Sequence, residues 1–112
     1  MSEPLRVCQT TQLRPEMRER YLELHSAVWP TVEAGIRSAH IENYSIFVRG
    51  DTLVAYFEYT GDDLAADLAV LDDDPDMQRW LALTDPCQLD PEPGQPGGPW
   101  RELTLAWRLS RG

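Results

Sequence analysis

The feature that most constrains this chain is a pair of alternating runs joined by Gly50-Asp51. From Ile41 to Arg49, Tyr44, Ile46 and Val48 fall on one side of an extended chain and Asn43, Ser45 and Phe47 on the other. From Thr52 to Tyr59, Leu53, Ala55, Phe57 and Tyr59 share a side. A two-residue connection that begins with glycine suits the tight turn between such runs, because glycine enters the positive-φ region without a steric penalty. The two runs predict an antiparallel hairpin, and the rest of the chain has to be arranged around it.

Ahead of the hairpin, Leu5 to Leu13 alternates, with Leu5, Val7 and Leu13 opposite Cys8 and Thr10, and reads as a strand. A helix is predicted from Arg14-Pro15-Glu16, where proline's missing N–H is harmless, with Met17, Tyr21, Leu24 and Val28 as its inner stripe. Trp29-Pro30-Thr31 is expected to interrupt it, and a second piece runs through Val32 and Ile36 to about Ser38. After the hairpin, Thr60-Gly61-Asp62-Asp63 opens a helix with Leu64, Leu68 and Leu71 on its buried side. Asp72-Asp73-Asp74-Pro75 breaks that helix, with Asp74 as the cap of a second piece bearing Met77, Trp80 and Leu81. The aspartates read as caps and solvated helix-end charge rather than as a metal site. Pro86 to Pro99 holds five prolines and three glycines and is expected to be a long loop. Leu103, Leu105, Trp107 and Leu109 alternate in a closing strand.

Strand, broken helix, hairpin, broken helix, strand is the order of an α+β ferredoxin-like fold. It predicts a four-stranded antiparallel sheet with two broken helices on one face. The opposite face is left open, and its residues, with Tyr44 and Trp107 assigned to it, must line a pocket or be covered by a second subunit.

At 112 residues the chain has room for a single domain, residues 1–112. Its 19 acidic residues against 10 basic ones, all arginine, give a net charge of −9. Such a surface repels phosphate backbones and anionic lipid, so neither nucleic acid nor membrane is expected as a partner. With no membrane-length apolar run and no signal-peptide core at the start, the expected location is the cytoplasm. Cys8 and Cys87 lie far apart and are expected to stay reduced, Cys8 as a small core residue and Cys87 in a turn. The two histidines, His25 and His40, lack the spacing of a zinc site, so no metal is expected.

His25 is the candidate for chemistry. Tyr21 lies one helical turn before it and Trp29 one turn after, so both aromatics can flank the imidazole. A histidine near a helix end can act as acid and base on a small polar molecule. The same residues are also compatible with a half-exposed histidine on an ordinary amphipathic helix, as Trp80 is with a plain helix anchor. His40 reads as a surface loop residue.

Three stretches carry a resemblance to a known family: Tyr21-x-x-x-His25-x-x-x-Trp29-Pro30, then Asn43-Tyr44-x-Ile46, then Gln78-Arg79-Trp80 with Thr84-Asp85 behind it. Their order and spacing make the chain similar to the L-rhamnose mutarotases, small dimeric α+β barrel proteins. The resemblance implies interconversion of the α and β anomers of a free aldose, L-rhamnose or a related 6-deoxy sugar such as L-fucose. It implies a homodimer acting on a monosaccharide without metal or organic cofactor. By the same resemblance His25 would be the proton donor, and Tyr21, Tyr44 and Trp80 would bind the sugar. The family's second tryptophan is replaced here by Leu81, which bears on which sugar is preferred. A cofactor-free monooxygenase or a small-molecule-binding protein of the same fold is the alternative.

Overall fold

The computed structural model describes residues 3–89 and 99–109. Strand β1 (Leu5–Leu13) leads through a single 3-10 turn (Pro15–Met17) into α1 (Arg18–His25) and α2 (Pro30–Ser38). The hairpin β2 (Ile41–Arg49) and β3 (Thr52–Tyr59) follows, then α3 (Leu64–Asp72) and α4 (Pro75–Thr84). A second 3-10 turn (Asp85–Cys87) precedes β4 (Gln88–Leu89), and β5 (Arg101–Leu103) is the last strand among the described residues. The sheet is antiparallel in the order β2-β3-β1-β4, with β5 also paired to β1. This is the ferredoxin-like α+β arrangement, with all four helices grouped against one face of a curled sheet.

The hairpin forms as its sequence predicts: Arg49 pairs with Thr52, and Gly50 takes φ 58° at the first turn position. The inward residues Val7, Ile41, Phe57 and Tyr59 pack with Ala39 against Ile36, Leu64, Leu68 and Leu71 of the helices. Nearer the turn, Leu13, Leu53 and Cys87 surround Tyr21, and between the helices Val32, Met77 and Trp80 form a third nucleus. Asp63 caps α3 by accepting from Ala66 N at 3.1 Å, and Asp74 caps α4 by accepting from Asp76 N at 2.8 Å. Two of the clustered aspartates thus hold helix starts.

Several expectations are corrected. The edge of β1 carries two short strands instead of one long one, so the sheet has five strands among the described residues. The closing strand is Arg101–Leu103; Thr104–Leu109 pairs with no strand among the described residues, and Leu105, Trp107 and Leu109 are exposed. Nine-residue β1 offers its second edge to Gln88–Leu89 at its end, Gln12–Leu13, and to Arg101–Leu103 at its middle, Cys8–Thr10, and the pairing ends at Leu103. The break in the first helix falls at Ser26–Trp29, and Pro30 starts α2 instead of ending α1. Trp29 is extended (φ −64°, ψ 135°), as proline demands of the residue before it. Cys87 lies in a turn as expected but is fully buried there, while Cys8, expected in the core, is only half-buried beside Tyr56 and Leu103. Most of the expected 86–99 loop lies outside the described residues.

Tyr44 is the correction that matters for the site. It lies on the helix-covered face of the sheet, its ring stacked on buried Phe57 with centroids 5.6 Å apart and planes 3° apart. Strict alternation would put Ile41 and Tyr44 on opposite faces. The register shifts between Glu42 and Ser45, so that Asn43 and Tyr44 together oppose Phe57, and Asn43 adopts φ 53°. This bulge brings Ile41 and Tyr44 to the same side.

Candidate active site

A cleft of about 1250 Å³ opens between the inner face of the sheet and the helices. Tyr21, His25, Tyr44 and Trp80 all line it, so the structure brings the four sequence-predicted site residues to one cavity. Exposed His40 stands at its rim, after α2, with φ 63°.

His25 is the last residue of α1 and half-buried. Its Nδ1 lies 3.0 Å from the carbonyl oxygen of Tyr21, one turn back. A carbonyl can only accept, so Nδ1 carries a hydrogen and Nε2 is left as the nitrogen that gains and loses a proton. Burial lowers the imidazole pKa from its ordinary 6.5, and the bond to Tyr21 works in the opposite direction. The ring is held from two sides. Tyr21 stacks on it with centroids 4.2 Å apart, and Trp80 meets it edge-on at 5.2 Å.

One flanking partner differs from expectation. Trp29 turns to Trp80, at 5.3 Å and 70°, and Trp80 takes the second side of His25. The break over Ser26–Trp29 redirects the chain before Trp29, so α-helical spacing does not extend to it. Trp80 is also only 6% exposed and packs on Val32 and Met77, so it is both an anchor between the helices and part of the cavity wall.

Tyr21 is buried beneath this aromatic layer. Burial pushes its phenol far above the ordinary range, and the neighbouring Tyr44, Cys87 and Asp85 disfavour a phenolate further. It is a neutral hydroxyl at any working pH. Tyr44 is likewise raised by desolvation: part of the residue reaches solvent, 40% in all, while its hydroxyl is enclosed. Desolvation also raises the carboxyl of Asp85. The cleft therefore offers the His25 imidazole, two neutral hydroxyls and an indole edge. That set can shuttle a proton and bind a polyhydroxylated ring through hydroxyls and its C–H face.

Sequence reasoning did not identify the strand-side wall. Trp100, Gln9 and Glu102 line the same cleft, with Gln9 and Glu102 directly paired between β1 and β5 and Trp100 packed on the cluster around Tyr21. Period-two alternation could have put Gln9 on the side of Val7, but nothing local tied Trp100 to Tyr21 across the intervening chain.

The sequence profile of L-rhamnose mutarotase matches residues 6–109. An L-rhamnose mutarotase of Burkholderia cenocepacia is 38% identical over 72 residues, which is 62% of this chain and 66% of that protein, just under two thirds of its length. An L-fucose mutarotase of Xanthomonas campestris is 38% identical over 86 residues, 76% of this chain and 69% of that protein. The crystal structure of an L-rhamnose mutarotase from Formosa agariphila superposes with a TM-score of 0.73 at 19% identity, covering 95% of this chain and 99% of that one. Strand order, helix placement and the sequence match over nearly the whole chain agree: it belongs to the L-rhamnose mutarotase family.

Proposed function

We propose that this protein interconverts the α and β anomers of a free 6-deoxy aldose, L-rhamnose or L-fucose, with His25 as the acid–base group. The reading includes a cytoplasmic homodimer that uses no metal or organic cofactor. The observation that carries it is the fixed tautomer of His25: the Tyr21 carbonyl holds Nδ1–H, which leaves Nε2 to exchange protons in the cleft.

Anomer exchange opens the pyranose and closes it on the other face. Opening requires a proton on the ring oxygen and loss of one from the anomeric hydroxyl. Protonated at Nε2, His25 delivers the first proton as the C1–O5 bond breaks; neutral, it takes one back when O5 attacks the other face of the aldehyde. Water or a sugar hydroxyl relays the anomeric proton, so no net proton is consumed. Tyr21 and Tyr44 contribute neutral hydroxyls that bond sugar oxygens, and Trp80 lays an apolar edge against the ring's C–H groups.

The test is exchange between α and β anomer signals by NMR with L-rhamnose and with L-fucose. His25→Ala should retain the fold and sugar binding and lose on the order of 10²-fold or more in the exchange rate constant. His40→Ala, at the rim, should exchange as fast as the parent. Equal rates for His25→Ala and the parent would overturn the assignment.

A further inference from the structure

We propose that Tyr56 and Glu58, on the outer face of the sheet, form with Asn43 a clamp that positions Tyr44 in the cleft, with Glu58 as the positioning residue. The consequence for sugar binding rests on the reading of Tyr44 given above.

The argument starts from a conflict in β2. Ile41 must point inward, because it completes the nucleus with Val7, Phe57 and Tyr59. An unbroken alternation from Ile41 would then send Asn43 and Ser45 inward and Tyr44 outward. The bulge resolves this by placing Asn43 in the left-handed region, a conformation that asparagine tolerates better than most residues but does not prefer. Something has to hold it there.

The neighbouring strand supplies the hold. Asn43 Nδ2 donates to Glu58 Oε1 at 3.0 Å, and the Tyr56 hydroxyl donates to Glu58 Oε2 at 2.7 Å. With both oxygens engaged, the carboxylate is fixed in orientation as well as position. Ser45 Oγ closes the other side of the bulge by donating to the Asn43 carbonyl at 3.1 Å. The bonds from Tyr56 and Asn43 keep the Glu58 carboxyl below its ordinary range, so it is ionised and purely an acceptor at neutral pH. Neither Tyr56 nor Glu58 lines the cleft. What they reach through the bulge is Tyr44, which follows Asn43 directly and lies flat on Phe57.

The experiment has a structural arm and a kinetic arm. In the first, NMR contacts between the Tyr44 and Phe57 rings are compared in the parent, Glu58→Gln, Glu58→Ala and Asn43→Gly, the last of which keeps access to positive φ without the donor. Glu58→Gln, which still accepts from Asn43 and can still pair with Tyr56, should keep the contacts; Glu58→Ala and Asn43→Gly should lose them while the hairpin pairing persists. In the second arm, Glu58→Ala should raise KM for anomer exchange by about three- to tenfold, the scale of one displaced hydrogen bond, with kcat little changed. In a Tyr44→Phe background the same substitution should raise KM no further. Ring contacts that survive in Glu58→Ala, or an equal KM rise in both backgrounds, would overturn the clamp. The ring contacts decide the clamp even if the parent exchanges no sugar, so its failure and that of the catalytic reading stay distinguishable.

Discussion

At the scale of single residues, His25 sets the direction of a pH dependence. Its pKa is lowered from 6.5 because burial disfavours the imidazolium more than the Tyr21 carbonyl favours it. A ring-proton titration of the free protein should therefore show a midpoint below 6.5, and the acid limb of kcat/KM should follow it. The same shift acts on stability. Below pH 6.5 the unfolded chain takes up a proton at His25 that the folded state does not yet accept, so stability is withdrawn as pH falls through 6.5. The loss is complete once pH is below the folded pKa, and above 6.5 the group contributes nothing. Urea unfolding at pH 7 and pH 5 should accordingly show the parent losing more stability on acidification than His25→Ala. A parent and variant that lose equal stability would show that the imidazole is not desolvated. The pairing of Tyr21 with His25 could be read in advance because both lie within one intact helix, where spacing determines direction. The partnership of Trp80 with His25 could not, since it depends on how α4 packs against the end of α1.

At the scale of elements, the links at each end of the helices carry the fold. Gly61 precedes α3, and a Cβ there would meet the Tyr59 hydroxyl and ring and the Asp67 carboxylate. Those groups are already joined: the Tyr59 hydroxyl donates to Asp67 Oδ2 and accepts from Asp63 N at 2.8 Å, tying the end of β3 to the first turn of α3. Gly61→Ala should cost about 1–3 kcal/mol by overpacking, read as a lower urea midpoint with an unchanged slope; no loss would mean that the contact is slack. The existence and order of the elements were legible because period-two and period-3.6 patterns are local properties. Their limits were less so. Proline at position 30 is sterically the same signal whether it closes one helix or opens the next, and the choice was made by the extended Trp29 before it. The bulge at Asn43 was invisible for a related reason: alternation predicts faces only while the register is unbroken, so Tyr44 was grouped correctly with Ile46 and Val48 but could not be tied to the inward face of Ile41, and was assigned to the open side.

At the scale of the whole molecule, the sheet has one face covered by helices and one that no described helix covers. Fold alone does not decide chemistry, since function rides on the side chains in the cleft. It does pose a problem for that second face. Phe47, on the opposite side of β2 from Ile46, is 63% exposed, Leu103 of β5 is 44% exposed, and Leu105 and Trp107 beyond it are 61% and 75% exposed. Apolar groups of this size left exposed on β2, on β5 and just beyond it mark an association surface, and a second copy of the chain is the occupant we propose. The net charge of −9 on each copy opposes that association. Dimerisation should therefore tighten as salt screens the repulsion while the apolar contact is left intact. Sedimentation equilibrium at low micromolar concentration should give twice the 12.8 kDa chain mass, more completely at high salt than at low. Phe47→Arg should shift the equilibrium toward monomer and preserve the far-ultraviolet circular dichroism, because Phe47 supports no part of the inner core. A parent protein that sediments only as a 12.8 kDa species at both salt concentrations would rule out the dimer. The His25 cleft, which opens on the other side of the sheet, would then have to work in a single chain.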